Sequence, residues 1–179
     1  YAFSDMHGCI EAFEKALTFV DLADGRSKLV LCGDYCDRGP ASLQVFRKIM
    51  TLQQEYPGQI IALKGNHEDM LLEYIDMVED PDFARAWMLA DSNLATAKSF
   101  LGEGVFEQVK RMLAHRKFED AYRFVVRHME SDHADVLSWI RELPYYYETT
   151  KQVFVHAGID EDAGDLWRIG TPAEFFTAM

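Results

Sequence analysis

Four short apolar runs, each broken off by a polar motif, constrain this chain more than any other feature. The runs are Tyr1-Ala2-Phe3, Lys28-Leu29-Val30-Leu31-Cys32, Gln59-Ile60-Ile61-Ala62-Leu63 and Gln152-Val153-Phe154-Val155. They are rich in β-branched and aromatic residues and too short for helices, so they read as strands. The second and third are almost wholly apolar, the pattern of strands buried on both faces. Between the first and second, Ile10, Phe13, Leu17 and Val20 recur at helical spacing within 10–22. Between the second and third, Val45, Phe46, Ile49 and Met50 form one stripe within 42–54. Asp5 and Asp34 are 29 residues apart, and Asp34 and Asn66 are 32 apart, each interval the size of one βαβ unit. Two such units in series predict parallel strands with right-handed crossovers. Residues that follow the strands then gather at one sheet edge, where open α/β sheets bind ligands.

The motifs at that edge carry metal-ligating atoms: Ser4-Asp5-Met6-His7-Gly8, Gly33-Asp34-Tyr35-Cys36-Asp37-Arg38-Gly39, Gly65-Asn66-His67-Glu68 and Val155-His156-Ala157-Gly158. Asp5 and His7 are two apart, so an extended segment points both the same way. Carboxylate plus imidazole suits Mn, Fe or Zn better than Ca. Asp34 can bridge two cations through its two oxygens, Asn66 offers an amide oxygen, and His67 precedes a helix expected from Glu68 onward, near its positive dipole end. Each motif alone reads equally as a turn; their joint order and spacing point to a metal site.

The remaining composition narrows the function. A formal charge of −12 over 179 residues argues against a broad nucleic-acid groove. No apolar run approaches the roughly 20 residues of a membrane helix, and the start shows no signal-peptide pattern. Cys9, Cys32 and Cys36 form no zinc spacing and read as reduced cytosolic thiols, which places the chain in the cytoplasm. From residue 70 to 143 the strand signal gives way to helical stripes: Leu71, Tyr74, Ile75, Val78; Val105, Val109, Met112; Tyr122, Val125, Val126, Met129; Val136, Leu137, Ile140. Asp80-Pro81-Asp82 and Gly102-Glu103-Gly104 are expected breaks, Ser131 a cap for the last helix and Pro144 its stop. This predicts a single domain over 1–179 with a helical insertion over 70–143. Glu79, Asp80 and Asp82 read as a solvated turn. His115, His128 and His133 read as surface or locally hydrogen-bonded residues.

The Asp5-x-His7-Gly8, Gly33-Asp34-x-x-Asp37-Arg38-Gly39 and Gly65-Asn66-His67-Glu68 motifs resemble the signature of the phosphoprotein phosphatases, a branch of the calcineurin-like metallophosphoesterases. Pro144-Tyr145-Tyr146-Tyr147 leading into His156 resembles the small bacterial members, which include protein phosphatases and symmetrical diadenosine tetraphosphatases. The resemblance implies an α/β fold, a β-sandwich flanked by helices. It implies two divalent ions, Mn2+ first and Fe or Zn as alternatives: one held by Asp5, His7 and Asp34, the other by Asp34, Asn66 and His156. Arg38 would clamp phosphate, with Asn66 and Arg168 as further phosphate contacts. His67, oriented by Asp37, would protonate the leaving group while a hydroxide bridging the ions attacks phosphorus. Leu166-Trp167-Arg168 departs from relatives, in which the arginine often follows the Leu-Trp pair by one intervening residue. The final His ligand, from a Gly-His-Thr strand, and the rest of the second sheet are expected beyond Met179. The expected substrate is a phosphorylated protein or peptide, or a small phosphate ester, with no nucleic-acid or membrane partner. A diadenosine tetraphosphate hydrolase is the alternative, followed by a scaffold that has lost its metals and by a nuclease.

Overall fold

The computed structural model describes residues 1–77 and 80–178. Val78 of the first helical stripe and Glu79 of the acidic turn lie outside the described residues. All four apolar runs form strands. β1 (Ala2–Phe3), β2 (Leu29–Leu31) and β3 (Ile60–Ala62) make a parallel sheet in the order β1-β2-β3. The register pairs Phe3 with Leu31 and Leu31 with Ala62, so the three strands end level with one another. All three β2 residues are buried, as its unbroken apolar character requires. The crossovers are α1 (Ile10–Leu17) and α2 (Ser42–Glu55). α1 turns Phe13 inward, and α2 buries Val45, Phe46, Ile49 and Leu52. Val20 falls beyond the end of α1, and Met50 is only half-buried.

The fourth run takes a different partner from the first three. β5 (Val153–Val155) pairs antiparallel with β4 (Tyr146–Glu148) in a separate two-stranded sheet. The turn between them is closed by the Thr149 N–H donating to the Gln152 carbonyl at 2.8 Å. Tyr145-Tyr146-Tyr147 followed by a polar turn is a hairpin signal that the sequence reading passed over.

The helical segment begins at α3 (Asn66–Asp76) and continues through α4 (Pro81–Met88), α5 (Asp91–Ala114), α6 (Phe118–Asp132) and α7 (Ala134–Arg141). Its first helix starts at Asn66, two residues before the Glu68 start expected from the sequence and four before the expected insertion boundary, and it puts His67 inside the first turn. Asp80 caps α4 by accepting from Asp82 N–H at 3.0 Å and Phe83 N–H at 2.9 Å, with Pro81 at the first helical position. Gly102 breaks α5 with a φ of 72°. Ser131 lies inside α6 and caps nothing; the α6–α7 junction is His133. A short 3₁₀ turn (Glu161–Leu166), α8 (Trp167–Gly170) and α9 (Ala173–Thr177) follow β5.

One buried apolar cluster joins the sheet to the helices, from Leu29 and Leu31 through Phe46 to Met129 and Ile140. Phe46 is fully buried, with the Tyr35, Phe100 and Trp139 rings 6.0–6.2 Å from its own. Such a ring holds α2 against α5 and α7, and its truncation in comparable cores costs about 3–5 kcal/mol. Among the described residues no helix is long and apolar enough to cross a membrane.

Candidate metal and phosphate site

The loops that leave β1, β2 and β3 are laced by their backbones. Asp5 N–H donates to the Gly33 carbonyl, His7 N–H to Asp34, Gly8 N–H to Tyr35 and Gly39 N–H back to His7. To make these bonds the chain turns sharply. Asp5, His7, Asp34, Asp37 and Arg38 all have φ between 41° and 66°. Asp and His tolerate this left-handed region better than most residues, at a strain of about 1–3 kcal/mol each. The expectation that Asp5 and His7 align on an extended segment is therefore corrected: each sits on a left-handed turn instead.

Gly33 and Gly65 lie back to back, which brings the second and third loops together. A Cβ on Gly33 would stand 2.5 Å from Gly65 N and 2.6 Å from its Cα, and Gly33 has a φ of 88°. Glu68 then clamps both loops. Its carboxylate is fully buried and accepts from Asp34 N–H at 2.8 Å, Tyr35 N–H at 2.8 Å and Gly65 N–H at 3.0 Å. Burial pushes its pKa up, while those backbone donors pull it down. Within the Gly65-Asn66-His67-Glu68 motif the sequence assigns Glu68 no task of its own. Glutamate at the third position of a helix is the available local signal, because it reaches back to its own N-terminus.

The side chains from all four loops converge on Asp34. His7 donates Nδ1–H to the Cys36 carbonyl at 2.8 Å, so in the neutral ring its Nε2 holds a lone pair. That Nε2 is buried without a hydrogen-bond partner, 3.7 Å from Asp5 Oδ1 and 3.5 Å from Asp34 Oδ2. His156 repeats the arrangement. Its Nδ1–H donates to the Cys32 carbonyl at 2.7 Å, and its Nε2 faces Asn66 Oδ1 at 3.0 Å and Asp34 Oδ1 at 3.4 Å. Two sets of electron-rich atoms thus surround the two oxygens of one carboxylate; Oδ1 also accepts from His67 N–H at 3.2 Å, while the His7 Nε2 has no proton to accept. A buried acceptor left so is expensive, and a divalent cation at each set would satisfy it. The mixed oxygen and imidazole donors fit Mn, Fe or Zn. The Asp5 side chain is half exposed at 57 % and also accepts from the Ser4 hydroxyl.

His67 stands beside these sets. His7, Asp34 and His67 present ligand atoms within 4.8 Å of one another, which would also allow His67 as a ligand. Its Nδ1, however, is bound to Asp37 Oδ2 at 2.7 Å, and its Nε2 is 3.9 Å from Asp34 Oδ2, farther than the His7 Nε2. The Asp37 hydrogen bond, followed by the charge of Asp34, raises the His67 pKa against the effect of burial. A protonated ring offers no lone pair, so His67 is better suited to carry a proton than a cation.

The two arginines part company. Arg38 is exposed, and among the described residues its guanidinium makes no hydrogen bond or ion pair; its charge works against protonation of His67. Arg168 is taken by Glu148 on β4, with Nε donating to Oε2 at 2.9 Å and Nη2 closing a second bond to Oε1. The expected phosphate contact of Arg168 would require its guanidinium to leave this carboxylate partner. His115 and His128 bond carbonyls one helical turn back, and His133 bonds the Phe100 carbonyl. All three cysteines are free thiols. An apolar cavity of about 470 Å3, lined by Phe3, Met6, Cys9 and Phe13 among others, meets the cluster at Asp5.

Residues 1–173 match the family of calcineurin-like phosphoesterases. The chain belongs to that family. Membership implies divalent metal ions, in keeping with the His and Asp ligand atoms gathered at Asp34. Among curated relatives, a symmetrical bis(5'-nucleosyl)-tetraphosphatase of Pseudomonas fluorescens Pf-5 is 26 % identical over 161 residues, 89 % of this chain and 42 % of that protein. Proteins of the same name from Chromobacterium violaceum and Delftia acidovorans are 38 % and 39 % identical over 72 residues, 40 % of this chain and 24 % of theirs. The chain spans less than half the length of these relatives.

Proposed function

We propose that this calcineurin-like phosphoesterase is a divalent-metal-dependent hydrolase and that its substrate is a dinucleoside polyphosphate. One observation carries the chemistry: the His7 Nε2, buried without a hydrogen-bond partner, and the His156 Nε2, which also faces Asn66 Oδ1, flank the two oxygens of Asp34. Asp5, His7 and Asp34 would hold one cation, and Asp34, Asn66 and His156 the other. Cations there supply Lewis-acid charge to phosphoryl oxygens and make water a better nucleophile near neutral pH. Arg38 presents a planar fork to the phosphate oxygens. Asp37 fixes the His67 ring through Nδ1, leaving Nε2–H to pass its proton to the departing oxygen as the P–O bond breaks. The covalent steps need no protein nucleophile, so Ser4 and the buried Cys36 keep structural roles.

The substrate reading rests on the names of the relatives, which act on nucleosyl tetraphosphates. It reverses the order that the Asp-Arg-Gly and Asn-His-Glu motifs had favoured, in which a phosphoprotein came first. We also read the described residues as one domain, since a single buried cluster spans sheet and helices. The test uses the full natural protein, reloaded with Mn2+, Fe2+ or Zn2+ in turn. Diadenosine tetraphosphate should exceed a phosphoseryl peptide in kcat/KM by roughly tenfold or more, the scale on which specific pockets discriminate. A preference for the peptide overturns the substrate. Failure to bind cations by calorimetry overturns the site.

A further inference from the structure

Helix α5 reaches the Asp37 carboxylate through one hydroxyl. Thr96, on α5, is fully buried. Its Oγ1 accepts from Asp37 N–H at 2.8 Å and donates its proton to Asp37 Oδ1 at 2.7 Å. Its second lone pair faces Ser42 Oγ at 3.0 Å. A hydroxyl has one donor and two acceptor sites, and all three are used here. The other carboxylate oxygen, Oδ2, meets His67 Nδ1 at 2.7 Å. A chain of bonds therefore runs from Thr96 through Asp37 to His67, joining residues 59 and 30 positions apart in sequence. The same helix sends Ser99 to accept from Leu43 N–H at 2.9 Å, at the first turn of α2, where Ala41 has no side chain able to cap. α5 thus fixes both ends of the Asp37–Ser42 loop.

We propose that Thr96 is a positioning residue that holds the Asp37 carboxylate in the one rotation that aims the His67 ring. Asp37 itself sits at φ 66°. Among the described residues Thr96 supplies the one hydrogen bond to Oδ1, and without it the carboxylate is free to turn away from Nδ1. The inference rests on His67 acting as the proton donor, and it extends that reading to the helical segment. Partners one step removed from a reacting group commonly contribute 10–100-fold.

The experiment compares Thr96→Val, which keeps shape and loses the hydroxyl, with Thr96→Ser, which keeps the hydroxyl. Two readouts are taken on the full natural protein. The first is the imidazole N–H region of the proton–nitrogen NMR spectrum, with the His67 Nδ1–H resonance assigned by its loss in His67→Gln. Thr96→Val should broaden or remove that resonance, and Thr96→Ser should retain it. The second is kcat on phenyl phosphate and 4-nitrophenyl phosphate. Thr96→Val should lose about 10–100-fold on phenyl phosphate, and less on the nitrophenyl ester, whose leaving group needs less protonation; Thr96→Ser should recover most of the loss. An unchanged resonance in Thr96→Val, or equal losses in the Ser and Val variants, overturns the proposal. Should Thr96→Val fail to fold by thermal melting, Thr96→Cys, close in volume and a weak donor, is read by the same two criteria. If His67→Gln slows both esters equally, the proton-donor reading of His67 falls, while the resonance still decides whether Thr96 positions the ring.

Discussion

In the loops after β1 and β2, five residues other than glycine hold left-handed backbone; in the helices from α4 to α7 none does, and the only interior break is at Gly102. The loops bury His7, Asp34 and Asp37 and point polar atoms at one another. The helices bury Val109, Val125, Met129 and Val136 in ordinary amphipathic stripes. The first region is built against local preference, and the second follows it. Local strain concentrates where side chains from distant loops must meet, because the meeting is bought by tertiary bonds that a local preference does not supply. The helices supply the rigid wall against which those bonds form.

Four perturbations test that contrast. The largest effect is expected from Asp34→Asn. It removes charge from both donor sets at once, and should abolish cation binding by calorimetry and lower turnover more than the roughly 100-fold that loss of an outer partner costs. His67→Asn should also cut turnover, by about 10²–10⁴-fold, with cation binding intact; equal metal loss in the two variants would place His67 among the ligands. Next, Gly33→Ala forces a Cβ into the Gly65 backbone at positive φ and should cost roughly 3 kcal/mol or more in thermal or urea unfolding. An equally harmless outcome to that of Gly104→Ala, where nothing lies within 4 Å, would show that the loops are not locked as described.

The third perturbation separates the arginines. Arg38→Ala should lower kcat/KM about 10–100-fold, the value of lost charged hydrogen bonds, without altering cation binding. Arg168→Ala should change it less than about threefold, since its partner is Glu148. The reverse order would show that Arg168 leaves Glu148 for the substrate. The smallest effect belongs to the surface. Arg47 and Asp135 pair between α2 and α7 with side chains 41 % and 56 % exposed. The hydrogen bond from Arg47 lowers the Asp135 pKa, so the pair's contribution is present above the unfolded carboxylate value and lost as pH falls through the folded one. After discount for solvent screening, Asp135→Asn should cost only about 0.5 kcal/mol at neutral pH, and the difference from wild type should vanish in acid. A cost that persists at low pH would assign it to packing.

Much of the fold was legible in the residues. The apolar runs marked four strands, and the spacing of Asp5, Asp34 and Asn66 marked the crossovers. The end-of-strand positions of the ligand types predicted which side chains come together, and Asp5, His7, Asp34, Asn66 and His156 do converge. What stayed hidden had no periodic signature. β4 was missed because three tyrosines before a polar turn were read only for their likeness to other chains. The pairing of Arg168 with Glu148 is equally invisible in the sequence, because a carboxylate 20 residues away leaves no local mark.

Composition and spacing along the chain determined the strands, the helical stripes and the kinds of atom gathered at the sheet edge, since burial period and ligand chemistry are local properties. Only the tertiary structure decided that β5 pairs with β4, that Glu68 clamps two loops, and that Thr96 bonds a carboxylate 59 residues away. Those choices depend on directional bonds between polar groups, which form only after packing has brought donor and acceptor within about 3 Å and excluded the water that would otherwise satisfy them.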